Sequence, residues 1–156
     1  MIRKWLVFAL SAGILVSIGV RVGASAGQEE KESPLEKIME KVNKASADIK
    51  KGTRNLTYFQ KSQKTVEKSA KELVKLGKQA KPIKDALSRA KGEANAQAKW
   101  DEFMDALISS SEKLGEVAAK SNATFAETKK AAGVVNKACV DCHAVFRVDD
   151  TENTKF

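Results

Sequence analysis

Apolar residues recur at intervals of three and four from Ser33 to Arg147, and no stretch alternates apolar and polar residues at period two. That pattern predicts amphipathic helices and no strands, because only a period near 3.6 sets such positions on one face. Ser33-Pro34 marks the first start: Ser as N-cap, Pro at the first helical position, and Glu36 three residues after the Ser to complete a capping box. Leu35, Ile38, Met39, Val42, Ala45 and Ile49 then trace one stripe, which Gly52 closes. A second helix over about residues 58–79 turns Phe59, Val66, Ala70, Leu73 and Val74 inward and breaks at Lys81-Pro82. Residues 82–92 are weakly periodic and predict a connection with a helical turn. A third helix, roughly residues 93–120, carries Trp100, Phe103, Met104, Leu107, Ser111, Leu114 and Ala118. The fourth starts after Ser121-Asn122 and runs through Phe125, Ala132, Val135, Ala138 and Cys142 to about Arg147. Four helices on short links predict an all-α fold, an antiparallel four-helix bundle over residues 34–148 with no internal repeat.

The first 26 residues follow a different pattern. Arg3 and Lys4 precede a 16-residue apolar run, residues 5–20, and Ala24-Ser25-Ala26 fits an A-x-A cleavage site. The run is shorter than the roughly 20 residues of a comfortable transmembrane helix. Residues 1–26 therefore read as a signal peptide, with an uncleaved membrane anchor as the alternative that Arg21 keeps open. The expected location is the periplasm. Residues 27–33 read as a flexible leader and 149–156, "DDTENTKF", as a disordered tail. The formal net charge of +8 falls to about +5 without the first 26 residues, leaving 25 basic against 20 acidic side chains. Stretches such as "EKSAKELVKLGKQAK" intermix the two signs and read as solvated helix faces, so no nucleic-acid partner is expected.

Both cysteines and the only histidine of the 156 residues fall within "KACVDCHAVFR", residues 137–147. The spacing C-x-x-C-H is the attachment signature of c-type haem. Two thiols three positions apart form thioethers with the two vinyl groups of one porphyrin, and the adjacent imidazole becomes an axial ligand of the iron. On a helix Cys139, Cys142 and His143 fall within little more than one turn and present together to a single planar group. A Cys139–Cys142 disulfide leaves the histidine unexplained, and a zinc site lacks a fourth Cys or His. A thioredoxin-like redox pair expects a βαβ setting that the helical pattern does not offer. One covalently attached haem c on the C-terminal helix is the expectation.

A C-x-x-C-H in the last helix of a four-helix bundle resembles the cytochrome c′ family, the class II c-type cytochromes, over essentially the whole of residues 34–148. "CVDCHAVFR" (residues 139–147) matches the family's motif followed by an aromatic and a basic residue. "KWDEF" (99–103) is similar to the Trp-led start of its third helix, and "PLEKIMEKV" (34–42) to its first helix, whose inward residue covers the haem face opposite the histidine. The resemblance implies that Met39 is the distal ligand, as in the family's low-spin, methionine-ligated members. Met104 on the third helix is the second methionine to consider, and either can equally be core filler. Bis-histidine ligation and a distal cysteine are excluded, since no second His and no further Cys exist; a lysine amine or an open site remain.

With Met39 ligated, the expected function is one-electron transfer. With Met39 only packed nearby, the iron is five-coordinate and binds nitric oxide or carbon monoxide, as in cytochrome c′ itself. Arg147 is expected beside His143, shielding the imidazole or offsetting a haem propionate, or else as an exposed cation favoured at a helix C-terminus. Trp100 packs on or near the porphyrin or simply in the core. No distal histidine is available for acid–base work, so no enzyme activity is expected. The expected partner is an acidic redox protein held weakly and salt-sensitively by lysines, and the resemblance implies a homodimer through the first two helices.

Overall fold

The computed structural model describes residues 32–90 and 92–147. The signal segment, most of the leader and the tail lie outside the described residues, which form four helices and no strand. They are α1 (Pro34–Gly52), α2 (Leu56–Ala80), α3 (Ala96–Ala119) and α4 (Phe125–Phe146), with a single 3₁₀ turn at Leu87–Arg89 between α2 and α3. No described helix is long and apolar enough to cross a membrane.

Every helix start has a side-chain cap for its free N–H groups. Ser33 and Glu36 form the predicted capping box: Glu36 N–H donates to Ser33 Oγ (3.2 Å), and Ser33 N–H donates to Glu36 Oε2 (2.7 Å). Thr124 and Glu127 repeat the device on α4. Asn55 accepts from Tyr58 N–H and Asn95 from Ala98 N–H. These two asparagines explain why α2 begins two residues before the expected Tyr58, and why α3 begins at Ala96 rather than near Glu93. At the end of α2, Lys81 N–H still reaches Gly77 C=O, and Pro82 then has no donor with which to continue.

Two apolar clusters fill the interior. The smaller one joins Leu35 at the start of α1, Ala80 at the end of α2, Trp100, Phe103 and Met104 near the start of α3, and Cys142 and Phe146 near the end of α4. Starts and ends alternate at this pole, so the helices run up-down-up-down. The larger cluster fills the remainder with Val42, Ile49, Val66, Leu73, Leu107, Leu114 and Val135 among others. Around the bundle α1 packs along α2, α2 along α3 and α3 along α4, whereas α1 and α4 touch only sparsely. That thin seam frames the candidate site.

Candidate functional site

α4 continues unbroken through the C-x-x-C-H stretch, with Arg147 N–H closing its last turn on His143 C=O (3.1 Å). At 100° per residue, Cys142, Cys139 and His143 fan across about 100° of the helix circumference. Cys142 is buried in the Trp100–Phe146 cluster, Cys139 is half-buried against the larger cluster, and His143 is exposed. The arc therefore runs from core to surface. The two intervening residues stay off the core: Val140 is 57% exposed, and Asp141 pairs with Lys137 at 2.7 Å.

Both cysteines are free thiols. Burial pushes the Cys142 thiol up to about 12, with Cys139 beside it adding to the shift. Burial raises the Cys139 thiol as well, opposed by the Lys50 ammonium on α1. His143 is held below the ordinary imidazole value, first by partial desolvation and then by the Arg147 guanidinium. At neutral pH the set is two protonated thiols beside a neutral imidazole, whose ring nitrogen is free to ligate.

Across the seam, Met39 on α1 is half-buried and packs against both clusters, the one containing Cys142 and the one against which Cys139 lies. Met104 is fully buried on α3 in the Cys142 cluster. Trp100 is 2% exposed; its Nε1–H donates to Lys81 C=O at 3.0 Å, and its ring meets Phe146 edge-on at 5.2 Å. A structural role thus accounts fully for Trp100, although it belongs to the same cluster as Cys142. Arg147 is exposed just past the end of α4, where its field reaches His143.

The structure brings Cys142 and Met39 to one cluster, sets Cys139 and Met39 against the other, and leaves His143 and Arg147 exposed at the end of α4. It also adds Phe146, which stacks edge-on to both Trp100 and Phe103 and closes the cluster behind Cys142. The signal for it was present: Val135, Ala138, Cys142 and Phe146 continue the three-and-four spacing of the α4 stripe. Among the described residues no group of three or more His, Cys, Asp or Glu is placed to hold a bare metal ion.

The donor set fits a haem. Two unpaired thiols share a helix face, the neighbouring imidazole is neutral, and a thioether lies on α1, which packs less closely on α4 than the other neighbouring helices pack on one another. Comparison of the chain with known protein families, curated proteins and solved structures gives no match.

Proposed function

We propose that this protein is an exported monohaem c-type cytochrome of the cytochrome c′ kind, working as a one-electron carrier in the periplasm. The reading is supported by one observation above the others: Cys139, Cys142 and His143 lie on a single arc of α4 with both thiols free, and Met39 of α1 packs against the clusters in which the two cysteines lie. Cys139 and Cys142 would hold the group by thioethers, His143 would be the proximal ligand and Met39 the distal one. A bound c-type haem supplies an Fe(II)/Fe(III) couple, and thioether ligation favours the ferrous state and raises the potential.

The chain's own residues prepare for this role. α4 fixes the spacing of the thiols, because both sit on one continuous hydrogen-bonded helix that its capping box and Arg147 close at either end. Partial desolvation, and after it the Arg147 guanidinium, disfavour protonation of His143 and so favour the imidazole form that can ligate. Trp100, Phe103 and Phe146 pack edge-on behind Cys142 and keep water from that side. With Met39 as a ligand, the bound group would have no position open for a diatomic gas.

The test is the optical spectrum of the matured protein, oxidised and reduced, with and without carbon monoxide, compared with Met39→Ala. The expected result is sharp α and β bands on reduction and no response to carbon monoxide in the parent. Met39→Ala should give a high-spin spectrum that sharpens on adding carbon monoxide. A parent that binds carbon monoxide would transfer the reading to a five-coordinate gas-binding protein. Absence of any haem spectrum from protein matured in a cytochrome-c-producing host would overturn it.

A further inference from the structure

The lysines of α2 look intermixed with other residues along the sequence, but the helix gathers them. Lys61, Lys64, Lys68, Lys71, Lys75 and Lys78 follow alternating steps of three and four, and all six are exposed. On the helical circumference their row is centred opposite the buried face formed by Phe59, Val66, Ala70, Leu73 and Gly77. They make a straight cationic ridge about 25 Å long along the outer pole of the bundle. Lys71 pairs with Glu67 and Lys78 with Glu112; Lys61, Lys64, Lys68 and Lys75 have no ion-pair partner among the described residues.

We propose that this ridge is a docking face for an anionic lipid bilayer. The inference takes from the proposed function only the export of the chain and the side of the bundle that a redox partner would approach. Glu67 and Glu72 border the row, yet a flat, negatively charged surface can meet the four ammoniums without ion-pair partners together, and each such contact adds to the attraction within a Debye length of the lipid headgroups.

Other polyanions fit less well. The row contains no arginine fork for phosphate recognition and no aromatic ring on which a base could stack, which disfavours nucleic acid. A protein exchanging electrons at the Cys139–His143 stretch would need to approach α4, which lies diagonally across the bundle from α2. A second copy placed on this face would set lysine against lysine. Docked through α2, the bundle turns the α4 side away from the bilayer and leaves it open to partners.

The experiment is co-sedimentation of the purified exported protein with phosphatidylcholine vesicles, with and without about 30% phosphatidylglycerol. It compares the parent with Lys61→Gln/Lys64→Gln/Lys68→Gln/Lys75→Gln and with an equal-charge control, Lys113→Gln/Lys120→Gln/Lys129→Gln/Lys130→Gln. Circular dichroism confirms that both variants keep their helices. The parent is expected to bind the anionic vesicles preferentially and to release at about 0.5 M salt. The ridge variant should lose at least about tenfold in partitioning, and the control much less. Equal losses in the two variants would assign binding to net charge and overturn the proposal, as would no preference for anionic over neutral vesicles. Ridge-dependent binding to polyglutamate without binding to vesicles would overturn it in favour of an acidic protein partner.

Discussion

Cys142 combines two demands that usually conflict. It is packed as tightly as a core residue, beside Trp100 and Phe146, and burial suppresses its thiolate, yet its proposed role is to form a bond. A buried thiol with so high a pKa is a poor nucleophile and a poor metal ligand. The thioether would therefore have to form before the helices pack around Cys142. Replacing both cysteines, Cys139→Ala with Cys142→Ala, is expected to abolish haem-dependent peroxidase staining on a denaturing gel. Each single variant should keep reduced staining through the remaining thioether. Staining that survives the double substitution would rule out covalent attachment. These residues were legible in the sequence because the C-x-x-C-H spacing states its own chemistry. The α4 stripe also placed Cys142 inward, as the structure does; the aromatic cluster of Trp100, Phe103 and Phe146 around it was not legible, because it is assembled from α3 and the end of α4.

At the scale of the element, helix starts carry much of the specification. The capping box of α4 satisfies its first N–H groups through Thr124, and Glu127 also accepts from the Thr124 hydroxyl (2.7 Å). Those bonds hold the Glu127 carboxyl below its ordinary value, the Thr124 hydroxyl contributing most and its backbone N–H next. A carboxylate lowered in the folded state adds stability above its unfolded pKa of 4.5, and that stability is lost as pH falls through the lower folded value. Thr124→Ala is therefore expected to destabilise the protein by about 1 kcal/mol at pH 7 in chemical denaturation, with a smaller difference in acid. An unchanged midpoint at pH 7 would remove the cap from the account of α4. Gly52 controls a different element contact, since a Cβ there would lie 2.4 Å from Val66 Cγ2. Val66 is fully buried and stiff at χ1, so Gly52→Ala should force α1 and α2 apart at a cost of about 1–3 kcal/mol, read as a lowered thermal midpoint. The sequence showed Gly52 only as a helix end; the close approach depends on a residue 14 positions away. For the same reason periodicity located all four helices but missed the asparagine caps at 55 and 95, and the lysine ridge emerges only when α2 is wound.

Across the whole molecule, three of the four neighbouring helix pairs pack along their lengths and the fourth, α1 with α4, does not. α1 is thus held chiefly by α2, and its link to α4 rests on the cluster shared by Leu35, Met39, Cys142 and Phe146. A group tied to α4 through Cys139, Cys142 and His143 and gripped from α1 by Met39 would join those two helices directly. Local opening then becomes a measure of the site. In native-state hydrogen exchange, the Cys139→Ala/Cys142→Ala protein is expected to release the amides of α1 by a sub-global opening, well before those of α2 and α3. In the haem-loaded protein the amides in the first half of α1, around Met39, should slow by at least about tenfold relative to that variant, and those in the second half of α2 should change far less. Met39→Ala in the loaded protein separates attachment from bridging, because it leaves the α4 bonds intact while removing the α1 grip. It should return α1 to rapid exchange without loss of haem staining. Equal protection of α1 with and without Met39 would mean that the seam is not spanned by that ligand, and the low-spin assignment would fail while covalent attachment stood.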